Sequence, residues 1–183
     1  MIRACRPLSL LLLALAIQPQ PAVAADAALT DKAAGAAATQ FAQAFRQYLK
    51  VNKPRAWPPV RDAIAFPFCA AAQSMFGSGF GVPVPNVRKD DQGLPDLIGL
   101  ALLNYGRFGR NPDQVRRVIS YTDHRRTLSR LSKEGLAELD RVAGKDARVV
   151  FLGSAKDKKG HFPVLVRIDK GKAKVVGILL GLE

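Results

Sequence analysis

The sequence predicts an α+β domain in which N-terminal helices pack on a C-terminal antiparallel β-meander. Three observations predict it. Apolar residues recur with the helical period at Phe41, Phe45, Tyr48 and Leu49. They alternate with period two near the end, at Phe162, Val164, Val166 and Ile168. Between that alternation and the last apolar run stands Asp169-Lys170-Gly171-Lys172, a hairpin signal with glycine where φ is positive. Helices that precede a block of strands make an α+β architecture.

The first residues read as an address. Arg3 and Arg6 precede an apolar stretch from Leu8 to Ile17, followed by Gln18-Pro19-Gln20-Pro21 and Ala22-Val23-Ala24. A basic start, a short apolar segment, a helix-breaking stretch and a small-x-small box form a secretory signal peptide, with cleavage expected between Ala24 and Ala25. The apolar segment is too short for a bilayer span, which takes about 20 residues. Cys5 precedes it, so it is not a lipidation cysteine, and Arg3 and Arg6 are not adjacent, so the general secretory route is expected. The expected organisation is therefore a signal over 1–24, a loose small-residue tail over 25–30, and one domain over 31–183. The mature protein is expected in the periplasm or outside the cell, not in the membrane.

The elements follow in order. Thr30 caps a first helix that starts at Asp31 and ends near Val51, ahead of Asn52-Lys53-Pro54. Trp57-Pro58-Pro59 opens a short second helix with Val60 and Ile64 on one side. Ala65-Phe66-Pro67-Phe68 is extended, and its proline keeps it from a central strand position. Residues 77–95 hold many glycines and prolines and read as a long loop. A third helix, apolar nearly all round, is expected over 95–105. Asn111-Pro112-Asp113 starts a fourth, with Val115, Val118 and Ile119 inward. A fifth is expected over 123–142, with a break at Gly135 and a stop at Gly144. Strands are expected over 148–153, 162–168 and 174–180.

Charge narrows the partners. The chain of 183 residues carries a formal charge of +13. Loss of Arg3 and Arg6 with the signal, and of no acid, lowers this to +11 over the remaining 159 residues. Such a field attracts anions. The expected address excludes nucleic acid as the usual partner and leaves an acidic protein, anionic envelope lipid or polymer, or a small apolar ligand in a cavity. Without Cys5 one cysteine remains, Cys69, in an apolar setting that favours burial.

The order of helix, short Trp-bearing helix, Phe-Pro-Phe, further helix and terminal meander resembles the NTF2-like superfamily. The stretches that carry the likeness are Ile64-Ala65-Phe66-Pro67-Phe68 and Lys170-Gly171-Lys172-Ala173-Lys174-Val175-Val176-Gly177-Ile178. The resemblance implies helices closing over a curved sheet to form a cone with an apolar cavity. It brings over no catalytic residue, because the sequence matches none of the Asp, His or Tyr positions that give catalytic members their acid and base, and it implies little beyond the cavity, because that fold hosts both enzymes and binding proteins.

Two site candidates emerge. Trp57, Phe66, Phe68, Tyr105 and Tyr121 are expected to line an aromatic pocket, or else to be core. Arg116, Arg117, Arg125, Arg126 and Arg130, with His124 among them, are expected to form a basic helical face for an acidic partner, or else a solvated one. No metal-ligand spacing, nucleophile elbow or phosphate loop stands in the sequence, and no cofactor is expected. The expected function is that of an exported, non-enzymatic binding or interaction protein. The rival expectation is an enzyme acting on a small apolar substrate in the pocket.

Overall fold

A computed structural model describes residues 28–51, 56–71, 114–129, 131–153 and 162–179. The expected signal and cleavage point, the loop over 77–95, the helix over 95–105 and the residues Tyr105 and Arg130 lie outside the described residues.

Helix α1 runs Asp31–Val51. Thr30 Oγ1 accepts from the Ala33 amide at 3.2 Å, and Asp31 sits in the positive first turn. Its inward face is small at the start (Ala34, Ala37, Ala38) and aromatic at the end (Phe41, Phe45). The aromatic row continues to Tyr48, whose ring meets Trp57 edge-on at 5.3 Å. Helix α2, Pro58–Ala63, starts on prolines that need no amide partner there. Strand β1 follows at once, Ile64–Ala71, with a cis bond at Phe66–Pro67.

The second half supplies β2 (Val115–Ser120), α3 (Tyr121–Arg125), α4 (Lys133–Ala143), β3 (Arg148–Leu152), β4 (Phe162–Asp169) and β5 (Lys172–Leu179). The sheet order is β1-β5-β4-β3-β2. The expected meander is present: β3, β4 and β5 pair antiparallel, and β4 turns into β5 through Lys170 and Gly171 with φ of 50° and 75°. The sheet is wider than the meander. β1 joins β5 in parallel, and β2 joins β3 antiparallel. β1 takes an edge, the place its proline permits.

Two expected helices are corrected. Val115, Val118 and Ile119 stand on strand β2, not on a fourth helix. β2 advances two residues, from Val115 to Arg117, while β3 advances one, from Leu152 to Phe151. This bulge carries the inner-face spacing from two to three, so Val115 and Val118 imitate a helical stripe. The expected long helix over 123–142 is two helices. The break falls before Ser132, not at Gly135: Ser132 Oγ accepts from the Gly135 amide at 3.0 Å and starts α4 afresh.

The sheet is buried on both faces. On the first face α1 and α2 cover Phe68, Val150, Leu152, Val164, Val166, Val175 and Ile178. On the second, Leu139, Val142 and Ala143 of α4 and Tyr121 of α3 cover Cys69, Val149, Phe151, Leu165, Val176 and Leu179. The helices therefore do not all precede the sheet or share one side of it. Adjacent strand residues feed opposite faces, which is why β3 reads as an unbroken apolar run. β5 changes phase by a bulge, since Val175 opposes Val166 while Gly177 opposes Leu165.

Arg167 ties the second face together. Its guanidinium donates to the Val142 carbonyl at 2.6 Å, at the negative end of α4, and to the Phe66 carbonyl at 3.0 Å on β1. Its cross-strand partner Lys174 donates to the Asp62 carbonyl at the end of α2.

Gly177 is the tightest point. A Cβ there would lie 2.9 Å from the Cys69 carbonyl oxygen and 3.2 Å from the Cys69 Cβ. Gly177→Ala is expected to destabilise by about 1–3 kcal/mol, the ordinary cost of overpacking. A lowered urea midpoint with unchanged slope checks it; an unchanged midpoint refutes it. Cys69 is fully buried, and burial pushes its thiol up to about 12. Thiol reagents are expected to modify Cys69 of the chain beginning at Ala25 only after unfolding, which a disulfide-exchange dye in the presence and absence of urea measures.

Candidate functional site

The structure divides the five expected pocket aromatics. Phe68 is fully buried on the first face, with Trp57 and Phe66 packed at its margin. Tyr121 is buried on the second face. The sheet stands between the two groups, so among the described residues they share no cavity. Spacing along the chain did not reveal the division, because it depends on which strand face each residue joins.

Tyr121 has a structural task. Its hydroxyl donates to Asp140 Oδ1 at 2.8 Å, and Arg125 holds both oxygens of the same carboxylate at 2.7 and 2.8 Å. Burial first, and the hydrogen bond second, hold the Tyr121 hydroxyl protonated well above its usual range. The Arg125 fork is the main cause that keeps the Asp140 carboxyl below the usual carboxylate range, with Tyr121 adding to it. Arg125 thus fastens α3 to α4.

Most described arginines are occupied in the same sense. Arg126 stands 3.6 Å from Asp123, Arg141 pairs Glu138 at 2.8 Å, and Arg148 pairs Asp31 at 3.0 Å. Arg116 and Arg117 differ. Both are exposed on β2, and among the described residues no carboxylate pairs with either.

Consecutive strand residues ordinarily point to opposite faces. The β2 bulge sets this pair apart, because the extra residue opposite β3 falls between Val115 and Arg117. Both arginines accordingly border one cleft on the second face, about 530 Å³ in volume. Ile119, Asp123, His124, Thr127 and Phe151 complete its described lining.

The floor is mixed in character. His124 is buried, with its ring edge-on to Phe151 at 5.4 Å. Thr127 donates its hydroxyl to the His124 carbonyl at 2.7 Å, so that proton is committed. Asp123 accepts from the Ser120 hydroxyl at 2.6 Å while facing Arg126, and its amide donates back to Ser120 Oγ at 3.1 Å. The one acid of the described lining is therefore engaged by its own turn. Its described lining offers two guanidiniums that no described carboxylate pairs, beside the apolar surface of Ile119 and Phe151.

The expected basic helical face is thus a strand-edge patch joined to a short helix. Arg116 and Arg117 come from β2, while Arg125 is withdrawn into the Asp140 pair. Sequence reasoning found the arginines and missed Ile119, Thr127 and Phe151 as their companions. A valine-rich strand pairing with 148–152 was the signal that would have placed them. Among the described residues no group of three His, Cys, Asp or Glu could hold a metal ion, and no helix is long and apolar enough to cross a membrane. Compared with known proteins, the chain matches no family model, no curated protein and no solved structure.

The Asp140 site gives a pH-dependent expectation. A carboxyl held lower in the folded chain than its ordinary 3.8 adds stability above that value and loses it as pH falls through the folded one. Both side chains of the ion pair are more than a third exposed, so solvent screening keeps the effect near ~1 kcal/mol. Asp140→Asn is expected to be less stable than the parent at neutral pH, with the gap closing below about pH 4. Urea titrations across that range measure it; a gap constant with pH refutes the assignment.

Proposed function

We propose that this chain is an exported, non-enzymatic binding protein that holds an anionic ligand or partner at the cleft beside β2. The observation that carries the reading is the pairing of Arg116 and Arg117 on one side of a bulged strand, with no described acid to neutralise them. Guanidiniums present planar forks that suit carboxylate and phosphate, and their weak hydration lowers the cost of contact. An ion-paired arginine such as Arg125 would have to surrender a native contact to do the same.

Export is supported by the pattern of the first 24 residues, and the basic balance suits the acidic surfaces met outside the cytoplasm. The non-enzymatic part rests on the floor of the cleft. Its acid and its hydroxyl proton are engaged in local structure, and its imidazole, His124, is buried with the ring packed edge-on against Phe151. The reading does not depend on the NTF2-like resemblance, since the cleft is defined by this chain's own residues.

The test separates a site from a general field. Arg116→Gln/Arg117→Gln and Lys133→Gln/Lys145→Gln remove the same charge. On immobilised dextran sulfate the arginine pair is expected to weaken binding by about tenfold or more, as loss of two charge-assisted contacts implies. The lysine pair is expected to change it little. Equal effects would mean that net charge alone drives retention, and would overturn the proposal.

A further inference from the structure

We infer that the cleft beside β2 takes a small amphiphilic anion: a carboxylate or phosphate head on an aromatic or aliphatic body. The inference deepens the proposed function and rests on it for the role of the arginines.

Three features set the ligand class. The first is size. A volume of about 530 Å³ lies within the range of small-molecule sites, roughly 300–1,000 Å³, and far exceeds a bare inorganic anion. An inorganic ion held by Arg116 and Arg117 would leave the remainder to water.

The second is the distribution of chemistry. Arg116, Arg117 and Ile119 all come from β2, and Phe151 lies opposite Arg117 on β3, so guanidinium, aliphatic and aromatic surface adjoin in the same space. Phe151 is held in place by β3 pairing, Pro163 lying opposite it on β4, and by the edge-on His124 ring. An apolar body seated there removes apolar surface from water while its head stays with the guanidiniums.

The third is what the cleft discourages. The Asp123 carboxylate on the lining repels a second negative group placed near α3. A ligand anionic at one end and apolar at the other meets neither repulsion nor an unpaired charge.

The experiment uses the chain beginning at Ala25 and three probes: naphthoate, its uncharged counterpart naphthamide, and inorganic phosphate. Titration calorimetry is expected to show one saturable naphthoate site, with naphthamide and phosphate each at least about tenfold weaker. Arg116→Gln/Arg117→Gln is expected to lower naphthoate affinity by about tenfold or more. Ile119→Thr, which keeps the β-branched shape and removes apolar surface, is expected to lower it severalfold. Circular dichroism and urea midpoints show whether each variant is folded.

Equal binding of naphthoate and phosphate would overturn the inference, because the body would then contribute nothing. Equal binding of naphthoate and naphthamide would overturn it for the head. The remaining outcomes separate the two levels of the argument. If naphthoate does not saturate while dextran sulfate retention still depends on the arginine pair, the inference fails and the proposed function stands. If neither depends on the pair, both fail. Phosphatidylglycerol vesicles distinguish the source of the head. Retention that depends on the arginines without saturable naphthoate binding would assign the site to a bilayer surface and overturn the small-ligand class.

Discussion

Burial of the sheet on both faces is the constraint on which the rest depends. Strands β3, β4 and β5 send alternate side chains to α1 and α2 on one side and to α3 and α4 on the other. The doubly covered stretches of this trio are apolar throughout, as in Val-Val-Phe-Leu of β3 and Phe-Pro-Val-Leu-Val of β4, and the polar residues of β4 and β5 gather toward the hairpin that joins them. Close packing follows. Gly177 lies against the Cys69 backbone, and polar anchors such as Arg167 reach carbonyls from two elements at once. The cleft opens where this double cover ends, at β2, whose first residues are exposed.

The balance of charge takes on meaning only through partners. A sequence rich in arginine carries a diffuse positive field, which by itself says little about where an anion would settle. The fold sorts the arginines into those spent on architecture and those left over. Arg125 holds two helices together through Asp140, Arg148 joins the start of α1 to β3, and Arg167 spans α4 and β1. The pair on β2 is left exposed beside apolar surface, and it is on that combination that the proposed recognition role rests.

Local signals made much of the architecture legible. The first helix, the extended Phe-Pro-Phe segment, the hairpin at Lys170-Gly171 and the terminal meander all announce themselves within a few residues, because period, caps and turn chemistry are local properties. Features set by distant pairing did not. The parallel partner of β5 lies in the first half of the chain, and nothing near Ile64 names Val175. The β2 bulge converted a strand's period into an apparent helical one. The same limit governed the site. The arginines stood out by composition, but their companion Phe151 comes from another strand, and the proposed aromatic grouping mixed residues that the sheet separates.

The position of β5 has a further consequence for the order of events in folding. It lies between β1 and β4, so the last described strand is interior to the sheet. Ile64 must wait for Val175 before β1 has any neighbour, and much of the surface that α1 covers belongs to β3, β4 and β5. The first described helix and strand therefore draw much of their packing from residues far along the chain. High sequence separation between contacts slows folding. Here the contacts of β1 and of α1 with β5 are of that long-range kind, so the packing of the first described strand depends on residues more than a hundred positions away.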